Sequence, residues 1–146
     1  MTGGKGGDIT LTAQGNITNT APFLFQDEFA FVVEEATLGS FSDSVDGSAG
    51  DGGSISLTST QGNIILNSAG VWSTSTSASG KGGNGGLISF STNSGNISLF
   101  NSGVYSHTLL STRKEASGGA ISFSTDSGDI SISSKSTIFS FASALR

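Results

Sequence analysis

The residues of this chain that could act as catalytic groups are few. His107 is the only histidine, and Arg113, Lys114 and Glu115 follow it closely. A histidine with basic and carboxylate side chains on one face could cleave an acidic polysaccharide by acid–base chemistry. A single histidine beside one short charged run is more typical of a solvated loop. The sequence therefore predicts that the protein is not an enzyme, with a polysaccharide-cleaving enzyme as the least favoured alternative.

Carboxylates are the residues that could bind an oxygen-seeking cation such as calcium. They form two groups along the chain: Asp27, Glu28, Glu34 and Glu35, then Asp43, Asp46 and Asp51. Neither group contains the Asp-x-Asp-x-Asp-Gly pattern of a calcium loop, and the glycine-rich stretches lack the repeated Asp of calcium-binding nonapeptides. We interpret both groups as solvated acidic loops and expect neither a metal nor another cofactor.

Hydroxyl side chains give the chain its one patterned outward surface. In four short segments Ser or Thr alternates with apolar residues, which is typical of a strand with one buried face. A flat grid of hydroxyls could bind ice or glycans through ordered water, and it is equally typical of a neutral, soluble sheet face. The candidate interaction residues are Thr10, Thr12, Ser56, Thr58, Ser89, Ser91, Ser122 and Ser124.

These hydroxyls belong to a repeated unit that predicts the fold. Copies of Gly-Gly-x-Ile-x-Leu/Phe begin at Gly6, Gly52, Gly85 and Gly118, and the last three start 33 residues apart. Each copy continues into Gly-Asn-Ile or Gly-Asp-Ile, then a Ser- and Thr-rich segment and a glycine-rich loop. Such a period is typical of stacked repeats that bury their apolar faces against each other. We predict one all-β domain over residues 1–146, a parallel β-helix (β-solenoid) of about four coils of roughly 33 residues, each with three short strands; the alternative is a sandwich of hairpins.

The repeat also predicts which residues stack. The expected inward ladders are Ile9-Ile55-Ile88-Ile121, Leu11-Leu57-Phe90-Phe123 and Ile17-Ile64-Ile97-Ile130. In the third strand Leu38, Val71 and Val104 share the period, whereas Ile138 comes one residue late. A corner ladder of turn residues is expected at Asn16, Asn63, Asn96 and Asp129, because Asn and Asp bond their own turns and stacked amides bond each other.

An apolar and acidic segment at about residues 21–36 interrupts the first coil. Its spacing fits a helix with Phe25, Phe29, Val32, Val33 and Ala36 on one side, or a strand in which Phe29, Phe31 and Val33 alternate with other residues. An open end of a solenoid exposes unpaired edges and a core layer, which natural solenoids usually cover. We therefore expect a cap or a subunit contact formed by Phe23, Phe25, Phe29, Phe31 and Val33.

Charge and composition exclude several classes of protein. The net charge is −5, and only six Lys or Arg residues are present, without a basic stripe, so nucleic-acid binding is not expected. No stretch approaches the 20 or so apolar residues of a membrane span. The chain has no cysteine, which excludes a disulfide framework and a thiolate metal site. Because the sequence enters a repeat at once, without the apolar core of a signal peptide, we expect it to be a piece of a longer array or a mature segment.

The repeats at Gly52–Leu66 and Gly85–Leu99 resemble those of filamentous haemagglutinin-type exoproteins, especially in cyanobacterial surface proteins. The resemblance implies a right-handed parallel β-helix that is exported by two-partner secretion and serves as a surface fibre or adhesin. The family's secretion domain is not evident in this sequence, and the resemblance implies no catalytic residue. It leads us to expect a bacterial extracellular or cell-surface protein whose partners are further coils of a solenoid, other copies of itself, or cell-surface glycans.

Overall fold

The structure, a computed structural model, describes residues 3–19, 36–109, 116–133 and 135–143. Within these ranges the chain forms twelve β-strands and no helix, so they contain no helix that could cross a membrane. The predicted insertion at 21–36, with its cap residues Phe23, Phe25, Phe29, Phe31 and Val33, lies outside the described residues apart from Ala36. Its alternatives of helix and strand therefore stay predictions.

The strands recur in groups of three, and each group forms one coil. Coil 1 contains β1 (Ile9–Ala13), β2 (Ile17–Thr18) and β3 (Ala36–Ser44). Coil 2 contains β4 (Ile55–Ser59), β5 (Ile64–Asn67) and β6 (Ala69–Ser77). Coil 3 contains β7 (Ile88–Thr92), β8 (Ile97–Phe100) and β9 (Gly103–Leu109). Coil 4 contains β10 (Ile121–Thr125), β11 (Ile130–Ile132) and β12 (Thr137–Ala142).

Strands of successive coils pair in parallel and form three sheets of four strands. The first sheet has the order β1-β4-β7-β10, the second β2-β5-β8-β11 and the third β3-β6-β9-β12. Every strand thus pairs with its counterpart in the next coil and not with its neighbour in sequence. This topology confirms the predicted β-helix of four coils with three strands each and rules out a sandwich of hairpins.

The apolar core lies inside the stack and consists of the predicted ladders. Ile55 pairs with Ile9 below and Ile88 above, and Ile121 follows in coil 4. Phe90 is fully buried and its ring stacks on that of Phe123, with centroids 4.7 Å apart and planes 4° apart. All three predicted ladders are present in register, because the side-chain period of two places alternate residues of each strand inside.

Ile138 keeps the register in spite of its late position in the sequence. It pairs with Val104, while in the preceding strand Ile132 pairs with Leu99. The extra residue therefore lies between Ile132 and Thr137, where the Ser136 N–H donates to the Ser133 carbonyl oxygen at 2.9 Å. The expected shift of Ile138 is absorbed by a turn, because the turn can change length without breaking the ladder.

Buried hydroxyls fill the part of the interior that the third sheet borders, which the sequence analysis did not predict. Ser73 donates to the Gly53 carbonyl oxygen at 2.6 Å and accepts from the Gly86 N–H at 2.9 Å. Ser106, one coil further, bonds Gly86 and Gly119 in the same way. Each serine thus links the glycine of its own coil to the glycine of the next, and we call this arrangement the serine–glycine bridge.

Glycine is required where these bridges form. A Cβ added to Gly86 would lie 2.2 Å from the Gly53 carbonyl oxygen, and one added to Gly119 would lie 2.2 Å from the Gly86 carbonyl oxygen. Such contacts are too short for any side chain. The second glycine of the Gly-Gly pair in coils 2, 3 and 4 is therefore fixed by the close approach of the coil below.

We expect Ser73→Ala to lower the free energy of unfolding by about 1–3 kcal/mol, because it leaves a buried carbonyl and a buried N–H without partners. Urea denaturation followed by circular dichroism measures the change. The matched control is Ser98→Ala, an outward and half-buried position in β8, where a change within about 0.5 kcal/mol is expected. Equal effects of the two substitutions would contradict a structural role for the bridge.

Candidate functional site

The eight predicted hydroxyl residues lie together on the outer surface of the first sheet, which we call the hydroxyl face. They form two columns across the four coils: Thr10, Ser56, Ser89 and Ser122, then Thr12, Thr58, Ser91 and Ser124. Parallel strands set the spacing at about 4.8 Å along a column and about 6.6 Å between columns. The sequence prediction that these residues share one face is confirmed, while their role in binding stays a prediction.

The chemistry of the hydroxyl face is that of a regular array of donors and acceptors. Ser89 donates to Ser56 at 3.1 Å, so part of the array bonds within its own column. The face carries hydroxyls without charges, and each hydroxyl can order water. An ice surface or the hydroxyls of a glycan would match this chemistry.

The outer surface of the third sheet carries aromatic rings that the sequence analysis missed, and we call it the aromatic face. Trp72 stacks on Tyr105, with ring centroids 4.2 Å apart and planes 24° apart, and Phe139 follows at 6.1 Å from Tyr105. Trp72, Tyr105 and Phe139 form the first column of this face. In the second column, two residues further along the strands, the His107 ring stacks on the Phe141 ring, with centroids 5.0 Å apart. The sequence held a signal for the first column, because each ring directly follows a ladder residue of the core.

Three rings of the aromatic face lie over glycines two residues earlier in the same strand. A Cβ added to Gly70 would lie 2.4 Å from Trp72 Nε1, and one added to Gly103 would lie 2.3 Å from the Tyr105 ring. Phe41 covers Gly39 in the same way. Aromatic side chains commonly protect strand glycines like this, so the rings are held against the sheet and not extended into solvent.

His107 is buried in the aromatic face although its position in the strand points outward. The residue is 5% exposed, and its Nδ1 atom has no hydrogen-bond partner among the described residues. Trp72 and Tyr105 approach the imidazole edge-on at 6.0 Å and 6.3 Å. Burial lowers the pKa of His107 below its ordinary value, so the ring is neutral at neutral pH. The basic and acidic residues predicted beside it, Arg113, Lys114 and Glu115, lie outside the described residues.

Two acidic residues that the structure describes, Asp8 and Asp51, accept backbone N–H groups. Asp51 accepts the Asn84 N–H at 2.6 Å, and the described residues contain no group of three potential metal ligands. The Ser54 N–H and then Lys5 hold the pKa of Asp8 below its ordinary value. The other predicted acidic group, Asp27, Glu28, Glu34 and Glu35, lies outside the described residues.

The predicted corner ladder is confirmed. The Asn63 N–H donates to Asn16 Oδ1 at 2.8 Å, the Asn96 N–H to Asn63 Oδ1 at 2.7 Å, and the Asp129 N–H to Asn96 Oδ1 at 2.8 Å. Each side chain therefore bonds the corner of the next coil. This role in stacking accounts for the residue types without a ligand.

No family model, no curated protein and no solved structure matches this chain. The resemblance to filamentous haemagglutinin-type repeats therefore stays a prediction from the sequence.

We expect the free energy of unfolding to fall as the pH is lowered from 7 to 5.5. The pKa of His107 is lowered in the folded state, so the unfolded chain binds the proton first. The free energy that neutral His107 contributes to folding is fully present above its ordinary pKa of about 6.5. This contribution is lost as the pH falls through the folded-state pKa. Denaturant titrations at several pH values measure this dependence.

His107→Phe provides the control, because it removes the only histidine and keeps a ring that can stack on Phe141. The variant should show a much flatter pH dependence over this range. A variant that follows the wild-type curve would refute the assignment to His107.

Proposed function

We propose that the protein is a non-enzymatic structural module of a secreted or cell-surface bacterial fibre or adhesin, whose coils continue head to tail into further coils. The observation that carries this proposal is the difference between the inner and the end coils. The inner coils are closed by ladders and bridges on both sides, whereas the end coils present the same groups without partners among the described residues. The sequence resemblance to exoprotein repeats supports the same role.

The apolar layer of coil 4 is open. Ile130 and Ile132 are 44% and 43% exposed, whereas Ile97 and Leu99, at the same positions one coil below, are 0% and 2% exposed. At the opposite end Leu11 is 39% exposed, although Leu57 above it is fully buried. Apolar ends of this kind favour association with a further layer.

The polar groups of the two ends are complementary in direction. The Gly53 and Asn63 N–H groups of coil 2 donate downward to coil 1. The equivalent N–H groups of coil 1, on Gly7 and Asn16, have no partner among the described residues. At the coil 4 end Ser140 and Asp129 hold the acceptor positions of these ladders and receive no N–H from a described residue. One end therefore offers donors and the other acceptors, which favours head-to-tail stacking.

The next layer is a second copy or a further segment of a longer chain, and a substitution at Ala13 tests for the second copy. Ser59, its partner in coil 2, donates to the Gly15 carbonyl oxygen at 2.8 Å, and Thr92 and Thr125 repeat this bond. A copy stacked on coil 4 would place Ala13 above Gly128 and lose this bond.

We expect the purified protein to associate head to tail, and Ile132→Lys to weaken the association at least about tenfold, because it buries an unpaired charge in the contact. Sedimentation velocity over a concentration series measures the association, and electron microscopy shows whether filaments form. Ile65→Lys is the matched control, since Ile65 is outward and exposed on an inner coil.

Ala13→Ser adds a test in the opposite direction. If copies stack, the new hydroxyl should strengthen association about three- to tenfold through one added hydrogen bond. Wild-type protein that stays monomeric at every concentration would exclude self-stacking and leave only a longer chain. An effect of Ile65→Lys as large as that of Ile132→Lys would contradict association through the coil ends.

A second candidate function is favoured by the register of the hydroxyl face. Its eight hydroxyls form two unbroken columns on the outer side of one sheet, a regular array of the kind that can bind ice or a glycan through ordered water. Three of the eight residues are Thr and five are Ser, so the array has fewer methyl groups than an all-Thr face.

For this candidate we expect Thr58→Tyr to abolish thermal hysteresis or glycan-array binding, because the bulky ring breaks the flat array in its middle. The control is Thr76→Tyr, an outward position on the third sheet of the same coil. Wild-type protein without a signal in either assay would remove the candidate. Loss of the signal in both variants would show that the signal does not depend specifically on the hydroxyl face.

A further inference from the structure

A shallow cleft of about 180 Å³ opens on the third sheet, at the edge of the aromatic face. It spans coils 2, 3 and 4 where their third strands begin. Its principal lining residues are Gly70, Trp72, Gly103, Tyr105, Lys135 and Thr137. The cleft has room for about one monosaccharide unit or a smaller group.

The floor of the cleft is formed by glycines in adjacent strands. Gly70 pairs with Gly103, and Thr137 follows in coil 4. The polar edges of two rings lie over this floor: Trp72 Nε1 is 2.4 Å and the Tyr105 hydroxyl oxygen 2.8 Å from the positions that a glycine Cβ would take. Both residues line the cleft, and these polar atoms lie at its floor.

The cleft is rich in donors that the described residues leave unused. Neither Trp72 Nε1 nor the Tyr105 hydroxyl forms a hydrogen bond within the described part of the chain. The Lys135 ammonium likewise has no hydrogen bond or ion pair there, unlike Lys5, which pairs with Asp8 at 3.1 Å. An indole N–H, a phenol and an ammonium that line one cleft favour an anionic ligand, although the chain as a whole carries a net charge of −5.

We infer that this cleft binds a carboxylate-bearing sugar unit of an acidic polysaccharide. The ammonium and the indole N–H bond the carboxylate, and the phenol bonds a sugar hydroxyl. Neutral sugars would leave the ammonium unpaired, so the charge of the ligand decides its selection.

This inference does not depend on the proposed fibre function. The cleft lies on the side of the third sheet, whereas the stacking proposal concerns the end coils and the second candidate concerns the first sheet. A solenoid that fails to stack could still bind a sugar here, and a stacking one could fail to bind it.

The fluorescence of Trp72 reports directly on the cleft, because it is the only tryptophan of the chain. We would titrate the full chain with trigalacturonate and with its methyl ester. A third titration uses sodium acetate at the same carboxylate concentration as trigalacturonate. The variants are Lys135→Gln and, as a control, Lys5→Gln, which removes a lysine outside the cleft. Circular dichroism confirms that each variant is folded.

Trigalacturonate should change the Trp72 emission in a saturable manner. The methyl ester and the Lys135→Gln variant should each bind about tenfold more weakly, because one charge-assisted hydrogen bond is lost, and Lys5→Gln should bind like wild type. Absence of a response to trigalacturonate, or an equal response of Lys135→Gln, would overturn the proposal. An equal response to acetate would identify a simple anion site and overturn the sugar assignment.

Discussion

The serine–glycine bridge is the interaction on which the stacking of the coils depends. A serine hydroxyl in the third strand accepts from a glycine N–H of the next coil and donates to a glycine carbonyl of its own, as Ser73 does with Gly86 and Gly53. Both backbone groups are buried, so each would cost free energy without the hydroxyl. The glycines must also lack a Cβ for the coils to approach. The abundance of Gly and Ser thus follows from the interior of the stack as well as from its loops.

The interior consequently has two regions that hold the register in different ways. Apolar ladders fill the space between the first two sheets and the start of the third, and they define which residues point inward. Hydroxyls fill the rest, where each bond needs one particular serine opposite one particular glycine. A slip of one residue would turn the apolar side chains outward and would break the bridges at the same time. The corner ladder from Asn16 to Asp129 adds a third constraint on the same register.

The sequence predicted the parts of the fold that depend on a period, and it did not predict the parts that depend on long-range contacts. Ile55, Ile88 and Ile121 share a 33-residue spacing, which is sufficient to place them in one ladder. Ser73 lies two residues beyond Val71, so alternation alone points it inward. A buried serine is nevertheless favourable only opposite glycine backbone groups, and those lie 13 and 20 residues away in sequence. The hydroxyl face was predictable because Ser or Thr alternates with apolar residues in the first strand of each coil, and this alternation alone places the hydroxyls outside.

The aromatic face and its cleft required information that the repeat pattern does not contain. Trp72 and Tyr105 were predictable as outward neighbours, because each follows a core residue at the same spacing. Their orientation over Gly70 and Gly103 depends on side-chain packing within each strand. The burial of His107 depends on neighbours in three coils, and Lys135 reaches the cleft from a turn whose extra residue breaks the period. Residues that depart from the repeat therefore contributed most to what the sequence analysis missed.

The separation of the inward and outward side chains connects the stack with binding. Inward residues and glycines are constrained by the coils above and below, whereas an outward residue contacts only its column and its strand neighbours. The first and third sheets can therefore carry different chemistry, hydroxyls on one and aromatic rings on the other, without disturbing the ladders. Each further coil would add another row to both faces. If copies stack as proposed, each copy adds one cleft with its own Lys135, and a polysaccharide that bound several clefts at once would be held far more tightly than by any one of them.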